Sequence, residues 1–514
     1  MENQEMVRGV NEQYPDYTAE TEAINKDGVT VDLLQRIINK HRPNMLHNKR
    51  LYNRYQVLNG CVPIFNREPR FNDSADVINN KVNNDYFSEI IDFKVGYFAG
   101  VPISYSYSDT LESKEDTADI GDTAEEAEEA RDEASKALSD FIARNNMFDV
   151  DMEVTKYASI CGYAGRLLYH DPDGEERVMA VAPFETIILS ETGNISEPTY
   201  AIRYYKVKDI NDREILKVEF YDSDTIQFYE GHLSDLVLVG TKPNLYGYCP
   251  LQGIQNNKEL TGDAEKVIAL IDAYDKSVSD MSNEVESFAN SYMVFENVNI
   301  NDDEIRKAQA SGAIKFYSGA SNGKVYFLTK DNSGTFIENH LKRLEENIYR
   351  FSKTPNLSDS AFGTASGVAL KFKLTGLEAK CGMFQAKMIT AGNYMFKAWA
   401  GAMAKKQIKI DPLQCVMEFK RNFPLDILSE AQACQQLIAA GLPKRVAYQI
   451  ALSAVDDVDY VMQLIEEEQN GIPSLLTDLP TDLPENNVQG FEPTEQVTAG
   501  LEDVKEDTTL TINS

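Results

Sequence analysis

The chain has 514 residues, 42% hydrophobic and 26% charged, with 50 basic against 82 acidic side chains and a formal net charge of −32. That length holds roughly two to four domains with cores of their own. The charge excludes tight wrapping by a nucleic-acid backbone unless the scarce cations are focused on one surface, but allows a surface that DNA touches without sticking.

Residues 1–27 are polar and acidic without periodicity and read as a loose arm. Val29 to Asn39 reads as a short amphipathic helix closed before Pro43. In NKVNNDYFSEIIDFKVGYFAGVPISYSYS, residues Val82, Phe87, Ile90, Ile91, Val95 and Phe98 form one helix face, ended by Gly96 and Gly100. Ile103 to Tyr107 then alternates as a strand. Glu112 to Lys136 is rich in carboxylates but lacks calcium-loop spacing, so it reads as an exposed loop entering a solvated helix. That helix gains an apolar face at Leu138, Phe141 and Ile142.

A helix over Phe148–Tyr157 follows, and the chain is then strand-rich to about Val239. Gly165–His170 and Arg177–Val181 flank HDPDGEE, which reads as hairpin-turn chemistry because the closing ligands of a metal loop are missing. Thr199–Val207, Ile215–Tyr221 and Thr225–Tyr229 continue as strands. Together these pieces predict an α+β region over about residues 50–250, closed by Gly247-Tyr248-Cys249-Pro250.

The clearest periodicity comes next. Val267, Ile271, Tyr274, Val278, Met281, Val285, Phe288 and Tyr292 are spaced by alternating steps of four and three, a heptad seam on a helix roughly 40 Å long at about 1.5 Å per residue. Ile337, Leu341, Leu344, Ile348 and Phe351 repeat the pattern. Between these two helices, Asp302–Ala310 suggests a small helix, and Ala313–Tyr317 with Lys324–Thr329 a hairpin around SGASNG. The simplest geometry is an antiparallel helix pair with this insertion at its far tip.

Lys353 to Ser366 then runs through small polar residues broken by Phe362. From Gly367 a third helical seam follows at Leu370, Leu374, Leu377, Cys381, Phe384 and Met388. No proline intervenes between Pro355 and Pro412, so one long helix, bent at Gly376 or Gly392, is permitted. Three successive seams exceed what one chain readily buries, which points to neighbouring copies as partners. Val416–Phe419 reads as a strand. Leu425–Gly441, Pro443–Ala454 and Asp456–Gln469 read as a small helical domain, and residues 471–514 as a disordered acidic tail.

Catalytic chemistry finds no support. The five histidines make no HExxH or HxH pair, and GASNGKV lacks the spacing and hydroxyl of a phosphate loop. No nucleophile elbow or dinucleotide fingerprint occurs. The reading is a protein without catalytic residues, metal or cofactor. The six scattered cysteines form no CxxC pair and read as free thiols in a reducing compartment. The N-terminus has no secretory pattern, and no run of about 18 apolar residues suggests a membrane span. The chain is therefore expected in the cytoplasm unless carried out in a larger particle.

The segment RLEENIYRFSKTPNLSDSAFGTASGVALKFKLTGLEAK, from Arg343 to Lys380, closely resembles the portal proteins of long-tailed double-stranded DNA bacteriophages, the head–tail connectors. NNKVNNDYFSEIIDFKVGYFAGVPISY, LIDAYDKSVSDMSNEVESFANSYMVFEN and PLDILSEAQACQQLIAAGLPKRVAYQIAL match in order, so the resemblance spans about residues 30–470. It implies a predominantly helical α+β portal fold assembled as a ring, usually of twelve subunits, around a channel at one capsid vertex.

On that resemblance residues 28–254 are the wing, 255–292 and 335–353 the stem helices, and 293–334 the clip. Residues 354–366 are the tunnel loop, 367–424 the long spanning helix with its return to the wing, and 425–470 the crown. The loop would present Asn356, Ser358, Asp359, Ser360, Phe362, Thr364 and Ser366 to DNA, with Lys371 and Lys373 lining the channel. The implied partners are further copies of the chain, double-stranded DNA in transit without sequence specificity, the terminase large subunit, a head–tail adaptor, and the major capsid and scaffolding proteins. No membrane is implied. The implied location is the virion, after assembly in the host cytoplasm. The alternative is a coiled-coil scaffold or adaptor of virion assembly without a channel.

Overall fold

The computed structural model describes residues 14–58, 60–69, 78–108, 124–289, 293–296, 324–327, 334–356, 367–422, 427–451, 461–462 and 464–465. Two compact units divide the chain, residues 1–424 and 425–514. Among the described residues the fold is α+β and predominantly helical.

The first unit opens with α1 (Thr18–Asp27) and α2 (Val31–Tyr55). The loose-arm expectation fails for the described part of residues 1–27. Tyr17, Thr21 and Ile24 are buried, and Tyr17 and Ile24 pack with Leu34 and Ile37 of α2 against a sheet. The expected helix end before Pro43 fails as well, since α2 carries Pro43 inside it. Proline removes one backbone donor, but packing holds the helix on both sides of it. Leu33, Leu34, Ile37 and Ile38 enter one core and Leu51 another. Between them, Asn44 Oδ1 accepts from Tyr163 Oη at 3.2 Å and from Asn48 Nδ2 at 3.0 Å.

The sheet under α1 and α2 is a five-stranded antiparallel meander in chain order: β4 (Thr186–Leu189), β5 (Tyr200–Lys208), β6 (Glu214–Tyr221), β7 (Thr225–His232) and β8 (Asp235–Pro243). A second sheet has the order β3 (Glu176–Val181), β2 (Tyr163–His170), β9 (Leu251–Gln255). The β2–β3 hairpin closes as the turn chemistry requires: Asp171 Oδ1 accepts from the amides of Asp173 and Glu175, each at 3.0 Å. Residues Tyr163, Leu167, Ile188, Ala201, Tyr221 and Leu251 fill the space between the two sheets.

The largest core surrounds one long helix. Here α3 (Tyr86–Ala99), α4 (Ala124–Arg144) and α5 (Met147–Cys161) pack with β2 and β9 against α8 (Gly367–Lys405), the 39-residue helix that follows α6 (Ile268–Ala289) and α7 (Gly334–Ser352) in the chain. Helix α3 runs through Gly96 to Ala99, beyond the first glycine expected to end it. Of the α8 seam, Leu374, Leu377, Cys381, Phe384 and Met388 are all buried inside this chain, with Phe98, Leu138, Phe141 and Val154. The third seam therefore does not face a neighbouring copy, contrary to the expectation. Its apolar face is matched within the chain by α3, α4 and α5.

The glycines of α8 mark close contacts. A Cβ on Gly392 would lie 2.2 Å from Met417 Sδ, and one on Gly401 would lie 2.2 Å from the Tyr246 carbonyl oxygen. The chain returns through β12 (Cys415–Glu418), which pairs antiparallel with β1 (Ser104–Tyr107). Beyond α6, β10 (Met293–Glu296) pairs antiparallel with β11 (Lys324–Phe327). The second strand of the expected hairpin forms at Lys324–Phe327, and its described partner is Met293–Glu296. Residues 313–317 and the expected helix at 302–310 lie outside the described residues. The second unit contains α9 (Ile427–Ala439) and α10 (Lys444–Ala451), with residues 461–462 and 464–465 helical.

Overpacking at rigid backbone costs about 1–3 kcal/mol or more. Gly401→Ala is expected to lower stability by at least that amount in urea unfolding. Gly392→Ala should cost less, because Met417 is a flexible side chain that can withdraw. Equal effects would contradict the close backbone contact at Gly401.

Candidate functional site

The two heptad helices form as expected and pack on each other. Val267, just before α6, and Ile271, in its first turn, are buried with Ile348 and Tyr349 of α7 and with Leu51, Tyr86, Phe87, Ile90 and Ile91. The Tyr86 ring meets Tyr274 at 5.0 Å and Tyr349 at 5.7 Å, both edge-on. Leu341, Leu344 and Ile348 are buried, and Ile337 is half-buried. Farther along α6 the seam opens: Tyr274, Val278 and Met281 are half-buried, and Val285 is 65% exposed. The Phe288 side chain lies outside the described residues. Phe351 leaves the predicted face and is 54% exposed, and Phe336 is 73% exposed. Tyr349, which the heptad did not select, takes the buried position.

A strap covers the polar side of α6. The backbone amides of Asn84, Val82 and Asn80 donate to Asp275 Oδ1 (2.9 Å), Ser279 Oγ (2.9 Å) and Asn283 Oδ1 (2.7 Å). The ladder keeps register because four helical residues rise about 6.0 Å and two extended residues about 6.6 Å. Arg67 pairs with Asp280 on the same helix, and Arg54 with Asp272 at 2.5 Å.

At the base of the pair lies a buried charge cluster. Asp263, just before α6, accepts from Lys94 Nζ of α3 at 2.7 Å and pairs with Lys380 Nζ of α8 at 3.0 Å. Lys94 also reaches Asn256 Oδ1 at 2.5 Å and lies 4.6 Å from the Phe384 ring centre. Lys380 donates to the Ser352 carbonyl, the last residue of α7, at 2.8 Å. One carboxylate thus ties α3, the entry to α6, the end of α7 and α8 together. Burial pushes the Asp263 pKa upward, but the charges and hydrogen bonds of Lys94 and Lys380 prevail and hold it at about 2. Burial pushes the Lys94 pKa down against the pull of Asp263.

Just past α7, Lys353 takes a left-handed backbone, φ 60°, and its Cβ packs close to Gly376 of α8. Asn356 Nδ2 donates to Glu345 Oε1 of α7 at 3.0 Å. Ser358, Asp359, Ser360, Phe362, Thr364 and Ser366 lie outside the described residues. Lys371 and Lys373 are exposed on the first turns of α8. At the other end of this region, Glu378 accepts from Arg421 Nε and Nη2, each at 3.0 Å, and from Tyr97 Oη at 3.0 Å.

The cluster itself escaped sequence reasoning. Its one signal was Lys94, the lone cation of the helix YFSEIIDFKVGYFA, set on its buried side. Among the described residues no group of His, Cys, Asp and Glu could hold a metal ion, and no helix is long and apolar enough to cross a membrane.

Removing the anion from beside the buried Lys94 and the half-buried Lys380 leaves Lys94 without a counter-charge, a change that costs about 3–5 kcal/mol for a buried pair. Asp263→Asn is expected to lose that much in chemical unfolding. The sign with pH follows from the lowered pKa. Stability from Asp263 is present above about pH 4, the ordinary aspartate range, and is lost as pH falls toward 2. The variant should therefore lose less stability than the parent between pH 4 and 2. Parallel pH profiles would contradict the cluster.

The description "Phage portal protein, SPP1 Gp6-like" matches residues 32–473. The chain is 22% identical over 416 residues to the portal protein of Bacillus phage SPP1, covering 76% of each chain. It is also 22% identical over 453 residues to the portal protein of Clostridium phage phiCD119, covering 83% of this chain and 92% of that one. With most of its length matched, from α2 through the helices of the second unit, the chain belongs to the SPP1 Gp6-like family of phage portal proteins.

Proposed function

We propose that copies of this chain close into a ring around a channel at one capsid vertex, through which double-stranded DNA enters and later leaves. In this reading α6 and α7 are the stem, residues 293–334 the clip that meets the terminase and then the head–tail adaptor, and residues 425–470 the crown. The α+β region is the wing, within reach of the capsid and scaffolding proteins. Residues 354–366 are the loop facing DNA, where Ser358, Ser360, Thr364 and Ser366 would slide past phosphates and Phe362 would make the bulkier contact. The protein acts as a conduit and performs no chemistry of its own.

The observation that carries this reading is the way the stem seam opens. It is sealed at Val267 and Ile271 but uncovered at Val285, with Phe336 and Phe351 also exposed on the partner helix. Apolar surface left on paired helices suits coverage by the next copy, and a heterologous contact repeated by rotation closes a ring. The acidity suits a conduit that must not hold its polyanion.

Negative-stain electron microscopy of the full-length protein is expected to show rings with a central hole. Elongated dimers, as a channel-free scaffold would give, or monomers at high concentration would overturn the proposal. Leu344→Asp, which buries a charge in the helix pair, should abolish the rings. Ser358→Lys and Phe362→Glu should leave rings intact while reducing packaged DNA in infected cells. Loss of rings in those two variants would contradict the loop assignment.

A further inference from the structure

Beneath the middle of α8, three buried side chains carry polar atoms that no protein group satisfies. Arg166 of β2 is fully buried, and its Nη2 donates to the Ala391 carbonyl at 2.9 Å. Its Nε and Nη1 have no hydrogen-bond partner. Gln252 of β9 stands directly opposite Arg166 in the antiparallel register, is 1% exposed, and has neither amide atom paired. Asp151 of α5, also 1% exposed, accepts from Tyr105 Oη at 2.5 Å on Oδ2 and leaves Oδ1 unpaired.

These groups share one neighbourhood. Residues opposite each other on antiparallel strands project to the same face, with Cβ atoms about 5 Å apart. The Asp151 carboxylate acts electrostatically on Arg166, and the Tyr105 phenol is hydrogen-bonded to that carboxylate. Five buried polar atoms without a protein partner lie in this one part of the core, and buried polar groups of folded proteins almost always find a partner in protein or ordered water.

The donor and acceptor pattern decides what can fill the spot. Arg166 offers only N–H donors, Asp151 Oδ1 is an acceptor, and the Gln252 amide is both. A bound anion would face the Asp151 carboxylate, and a cation would face the guanidinium. Water alone gives and accepts to all three. We propose that this nest is a binding site for internal water, about two molecules at the usual three hydrogen bonds each. The water joins β2, β9 and α5 to the midpoint of the long helix.

The test is a cryo-electron microscopy map of the full-length protein at a resolution where ordered waters are visible elsewhere in its core. Expected is at least one water-sized peak within hydrogen-bond distance of Arg166 Nε or Nη1 and of Gln252 or Asp151. A nest closed by direct Arg166–Asp151 contact with no peak would overturn the proposal, and so would a peak with the density of a heavier ion. In Gln252→Leu the peak beside the amide should vanish, and its persistence would overturn the part assigned to Gln252.

Discussion

A buried carboxylate held between two ammonium groups governs how α3, α6, α7 and α8 meet. Asp263 lies where four segments converge: α3 brings Lys94, α8 brings Lys380, the end of α7 offers the Ser352 carbonyl, and α6 begins a few residues on. Desolvating three charges is unfavourable, and their mutual attraction in a low-dielectric surround offsets it only while the geometry is kept. That condition makes the junction all-or-none. If one segment shifts, the remaining charges lose their partners. Phe384 beside Lys94 and the hydrogen bond from Lys94 to Asn256 add to the same constraint.

Within the first unit, the helices are arranged around this junction. On one side, α8 buries its seam from Leu374 to Met388 against α3, α4 and α5, which makes it a fixed beam of this chain's own core. On the other, the α6–α7 pair is sealed at its base by Val267, Ile271 and Ile348, fastened along one side by the 80–84 strap, and on α6 increasingly uncovered with distance from the junction. Residues 354–366 leave directly from the end of α7 and return at the start of α8. An element proposed to touch moving DNA therefore hangs between two helices that a single carboxylate locks together.

Much of this was legible in the residues. The steps of four and three from Val267 and from Ile337 mark helices because side chains at those spacings share a face, and the structure has them. HDPDGEE closes a hairpin because an aspartate can cap its own turn. The misses have physical causes. Pro43 does not end α2 because packing on both sides outweighs one lost hydrogen bond. Residues 18–27 look featureless because so few of their side chains carry the packing, chiefly Ile24, with Tyr17 just ahead. Heptad spacing shows that a face is covered but not by what, so the α8 seam was assigned to neighbours although α3, α4 and α5 cover it. Asp263 was invisible because its partners are 169 and 117 positions away in the chain. A pairing over such separations leaves no local pattern.

The claim that Asp263 joins these segments into one body is open to a direct measurement. Amide hydrogen exchange read by mass spectrometry can compare the parent with Asp263→Asn over α3, the end of α7 and residues 376–384 of α8. The account predicts that all three lose protection together while the β5–β8 meander keeps its own. Loss confined to the loop around residue 263 would contradict it.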